Sequence, residues 1–93
     1  MSYRKLNGVN LPEHRQGLIY YTLQNFRCLS AKKQADIIEL CESIAFESAP
    51  ALLELLTSPV SSQATALKHY VDHSTLCRYR REFYLRYNEI IKK

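Results

Sequence analysis

Glycine is nearly missing from this chain: there are two in 93 residues, with three prolines, and no valine-rich stretch alternates with polar residues. So few turn residues and no strand periodicity exclude a hairpin-rich β architecture and leave an all-helical fold. There is also no glycine-rich phosphate loop, no paired-carboxylate signature and no cofactor fingerprint, so the expectation is a non-enzyme without cofactors. No apolar run approaches the roughly 20 residues needed to span a bilayer, and MSYRKLNGVN does not read as a signal peptide. The three cysteines, Cys28, Cys41 and Cys77, are odd in number and widely spaced, which suggests no disulfide framework. A reduced, cytoplasmic setting without a membrane partner is expected.

What is present is enough apolar content to fold: 46% of residues are hydrophobic, unlike a disordered tail. The length suits one small domain, expected over residues 11–93, after a flexible leader over residues 1–10 that turns at Asn7-Gly8. Pro12 fits the first turn of a helix reaching about Cys28, with Leu18, Ile19, Tyr21, Leu23 and Phe26 inward. Ser30 caps a second helix from Ala31 to about Phe46, whose buried stripe is Ile37, Leu40, Cys41, Ile44 and Ala45. Pro50 breaks and restarts the chain into a short apolar helix, Ala51 to Thr57, at the centre of the core. After a turn at Ser58 to Ser61, Ser61 or Ser62 caps a helix ending near Tyr70, and the last helix runs from about Ser74 to Lys92. The expected fold is a compact all-α bundle of four to five helices with a C-terminal helix-turn-helix, over about residues 61–82, and a long last helix.

The most informative stretch is Gln63 to Glu82, QATALKHYVDHSTLCRYRRE: a short helix, a small polar break, then a helix opening on Ser and Thr and carrying an arginine cluster. Leu76, Tyr79 or Arg80, Phe83, Tyr87 and Ile90 recur at helical spacing and form an apolar stripe, with Tyr84 off it. Cys77, Arg78 and Arg81 fall off the stripe and share the outer face with His73 and Ser74, while Asp72 or His73 caps the helix. The pattern Ala66, then Tyr70-Val71-Asp72, then Ser74-Thr75-Leu76-Cys77-Arg78, resembles the core of bacterial and phage helix-turn-helix regulators. Tyr70 departs from it, standing where glycine usually supplies a positive φ. The resemblance implies a sequence-specific binder of double-stranded DNA, a small transcription regulator of phage or prophage type. Ala66, Val71 and Leu76 would be core, and His73, Ser74, Cys77, Arg78 and Arg81 would face DNA. Arg78 would then offer its fork to guanine, Thr75 and Arg81 would hold phosphates, and Lys68 and Ser62 would reach backbone oxygens from the preceding helix. A homodimer on a two-fold site follows by the same likeness, with RNA polymerase or another protein as a further partner.

Charge agrees in its distribution. Net charge is +4, with residues 1–27 and 59–93 basic and residues 28–58 acidic through Asp36, Glu39, Glu42, Glu47 and Glu54. Such polarity suits a molecule that turns one face to phosphates. The aromatics Tyr79, Phe83 and Tyr87 sit at core spacing, whereas Tyr84, off that stripe, could equally touch a phosphate or a partner subunit. His69, His73 and Cys77 follow at intervals of four, a ligand-like spacing on one continuous helix, but a turn between His69 and His73 points them apart, so no metal is expected. The alternative function is a helical protein-interaction module that uses the Arg/Tyr-rich last helix for an acidic partner, without DNA.

Overall fold

The computed structural model describes residues 11–58 and 61–91; the expected leader and its Asn7-Gly8 turn lie outside them. Among the described residues the regular structure is helical throughout: α1 (Glu13–Gln24), α2 (Ala31–Ala45), α3 (Ala49–Thr57), α4 (Ser62–His69) and α5 (His73–Ile91). Single 3₁₀ turns at Phe26–Cys28 and Phe46–Ser48 follow α1 and α2.

Three of the five helices start on a side-chain oxygen that takes up an otherwise unpaired backbone N–H. Ser30 Oγ accepts from the Lys33 amide at 3.3 Å, Ser61 Oγ from the Ala64 amide at 3.2 Å, and Asp72 Oδ2 from the Thr75 amide at 3.1 Å. Pro12 precedes α1, and Pro50 occupies the first turn of α3, where a missing N–H costs nothing. The short α3 is the hub: it packs on α1, α2, α4 and α5, and buries Ala51, Leu52, Leu55 and Leu56. Ile19 and Leu23 from α1, Ile37, Cys41 and Ile44 from α2, Ala66 from α4, and Leu76, Phe83 and Tyr87 from α5 complete one core. Burial pushes the Cys41 thiol up to about 12, so it remains a neutral apolar filler. No helix among the described residues is long and apolar enough to cross a membrane.

Facing departs from expectation in α1 and α5. α1 ends at Gln24, and Leu18 and Tyr21 point outward, 52% and 47% exposed, while Gln16 is fully buried. Apolar residues at 18, 19, 20, 21 and 23 surround this helix, so its own pattern cannot choose a face. The Gln16 amide is accommodated by donating to the Leu11 carbonyl at 3.1 Å. On α5, Ile90 is 47% exposed, and Tyr84, expected off the stripe, is buried at 3%. α5 packs against α1, α2, α3 and α4, and so much cover leaves Phe83 and its neighbour Tyr84 both inside.

The link between α4 and α5 is Tyr70-Val71-Asp72, and Tyr70 itself takes the left-handed conformation, φ 57° and ψ 39°. Its N–H donates to the Leu67 carbonyl at 3.3 Å and that of Val71 to the Ala66 carbonyl at 3.0 Å, a Schellman closure of α4. The turn therefore keeps its length by placing a bulky residue where glycine fits without strain. Because the Tyr70 ring is 97% exposed, little packing is lost with it. Tyr70→Gly should raise stability by about 1 kcal/mol and the melting temperature by about 4–8 °C. An unchanged or lower melting temperature in a calorimetric scan would refute the strain.

Candidate nucleic-acid interface

The start of α5 is fixed at its end and its flank. Asp72 Oδ2 accepts from both the amide and, at 3.3 Å, the Oγ1 of Thr75, so Thr75 is part of the cap and only half-exposed. His73 Nε2 lies 2.8 Å from Ser62 Oγ, tying the first residue of α5 to the first residue of α4. The same nitrogen lies 3.5 Å from Cys77 Sγ, which also accepts from Arg80 Nη2 at 3.9 Å. Ser62, His73 and Cys77 thus form one polar chain across the two helices.

Of the three residues with ligand-like spacing, His73 and Cys77 meet and His69 stands apart. His69 turns instead toward Glu54, Nε2 to Oε1 3.4 Å, and among the described residues no group of metal-ligating side chains gathers. Lys68 does the same at 2.9 Å, so its ammonium bridges α4 to α3 rather than standing free for a phosphate. The Lys68 hydrogen bond holds the Glu54 carboxyl below its ordinary range, with His69 adding to it. A lowered carboxyl pKa stabilises the fold above the unfolded value, and that contribution fades as acid protonates Glu54.

Ser74 and Arg78 are exposed and Arg81 half-exposed, all on the side of α5 away from its buried stripe. The Arg78 guanidinium lies 5.9 Å from the Tyr79 ring centroid, within cation–π reach. Among the described residues neither Arg78 nor Arg81 has a carboxylate within ion-pair distance, whereas Arg86 is paired with Glu82 at 3.3 Å. Arg80 runs inward, with its Nε buried and unbonded, and so stands apart from that outer pair.

Two features of this surface were not foreseen from sequence. Phe46 closes α2 at φ 52° and ψ −114° with 75% of its surface exposed, and Leu67 on α4 is 78% exposed. Phe46 lies about half a turn away from the buried stripe Ile37, Cys41 and Ile44, and Leu67 directly follows the buried Ala66. Compared with known protein families, curated proteins and solved structures, the chain finds no match.

Proposed function

We propose that the chain binds double-stranded DNA through α4 and α5, as a small transcription regulator. The observation that carries the reading is the pair Arg78 and Arg81: two arginines without carboxylate partners among the described residues, on the outer face of a capped helix, next to a short helix and a three-residue turn. An unpaired guanidinium on a rigid helix loses little on meeting a phosphate or a guanine edge, because no ion pair has to be broken first. Ser74 and His73, in the first turn of α5, are exposed beside them. In this reading Ser62 and Cys77 hold His73, and Lys68 must leave Glu54 to contact DNA. A homodimer on a two-fold site extends this reading, since one motif covers only a half-site.

The test is fluorescence anisotropy with random duplex DNA, stepped from low to physiological salt. Affinity that falls steeply with salt supports phosphate binding. Absence of binding at low salt leaves the protein-interaction module as the better account.

A further inference from the structure

A groove of about 530 Å³ runs between the end of α2 and the outer face of α5, lined by Ile44, Phe46, Tyr79 and Leu85 with Arg78, Arg81 and Arg86 around them. We propose that this groove docks an acidic amphipathic segment of a partner protein, apolar anchors on its floor and carboxylates on Arg78 and Arg81. Because these arginines are the ones assigned to DNA, the segment also excludes DNA; that second step rests on the DNA reading, while the docking itself does not.

The floor argues for a protein partner. Phe46 is 75% exposed and Leu85 36%, beside a nearly buried Ile44, so the groove presents apolar surface that a phosphate backbone would not cover. The α2 end holds Phe46 at a positive φ that a bulky residue adopts only under constraint, which sets its ring outside the core. Charge selects the sign of the partner. Glu82, the one acid lining the groove among the described residues, is already paired with Arg86, which leaves Arg78 and Arg81 to attract carboxylates. Length selects its form: from Arg78 to Arg86 α5 rises about 12 Å, two turns, so a docked helix would present anchors one turn apart. The first ten residues of the chain carry Arg4 and Lys5 and no acid, so they do not match.

The probe is a labelled helical peptide of about fifteen residues with Leu and Phe one turn apart among Glu and Asp, and a control with both anchors replaced by Ser. Anisotropy on the full chain should show the peptide binding, with the control about tenfold weaker or worse. Phe46→Ser and Leu85→Ser should each weaken the peptide about tenfold, and Phe46→Ser should bind duplex DNA within about twofold of wild type. Unlabelled peptide should displace duplex DNA from the wild-type protein. Equal binding of both peptides, no peptide binding, or wild-type affinity in both variants overturns the proposal. So does DNA affinity that falls with Phe46→Ser while the peptide fails to bind, which assigns the groove to DNA, or self-association that disappears with Phe46→Ser, which assigns it to a second copy. If wild type binds peptide but no DNA at any salt, the docking stands and only the DNA reading fails.

Discussion

Arg78→Ala/Arg81→Ala should lower affinity for random duplex at low salt by about thirty- to a thousandfold, or about 2–4 kcal/mol. The two arginines contribute differently, and single variants separate them. On the DNA reading Arg78, nearer the start of α5 and exposed, meets a base edge; Arg78→Ala should cost about 1–3 kcal/mol and relax preference at one position. On the same reading Arg81, one turn further along, meets the backbone; Arg81→Ala should weaken all sequences alike and reduce the salt slope by about 1. Lys68 contributes less by this argument, because its ammonium is already 2.9 Å from Glu54 and the ion pair must open first. Neither arginine belongs to the core, so the melting temperature should hardly move and binding loss cannot be ascribed to unfolding. Wild-type affinity in the double variant would take α5 off the DNA; equal loss on every sequence for Arg78→Ala would make it a phosphate contact only.

Where helices begin was legible because the signals are local. Ser30, Ser61, Asp72 and Pro50 act on amides or dihedrals within three residues, and sequence order alone brings those groups together. The outer face of α5 was legible too, as the complement of Leu76, Phe83 and Tyr87, and Ser74, Arg78 and Arg81 lie on it. Facing failed where a helix is apolar all round: α1 is oriented by its neighbours, which turn Gln16 in and Leu18 out. The polar partners of the candidate site were not legible, because they are tertiary. Lys68 meets Glu54 fourteen residues away, and Ser62 meets His73 eleven residues away, separations set by how α3, α4 and α5 pack. Phe46 is the sharpest case. Helical spacing leaves it off the buried stripe of α2, yet nothing in the sequence marks the positive φ at which it closes that helix.

That contrast between two phenylalanines gives the largest expected effect on stability. Phe83 is fully buried midway along α5, stacked on Tyr87 with centroids 5.4 Å apart, in the core shared with α2 and α3. Removing its ring leaves a cavity that the surrounding helices fill only in part, so Phe83→Ala should cost about 3–5 kcal/mol. A domain of this size holds about 5–15 kcal/mol in all, so the melting temperature should drop by roughly 15 °C or more. Phe46→Ala removes the same ring from solvent and should change stability by no more than about 0.5 kcal/mol. Calorimetric melts of the two variants decide the matter. A small loss for Phe83→Ala would mean that α5 is not seated on α2 and α3 through this ring, and the outward face assigned to Arg78 and Arg81 would lose its basis. A large loss confined to Phe83 would support the rotation of α5 in which residue 83 faces the core, because at helical spacing Ser74 and Arg78 then lie on the opposite side.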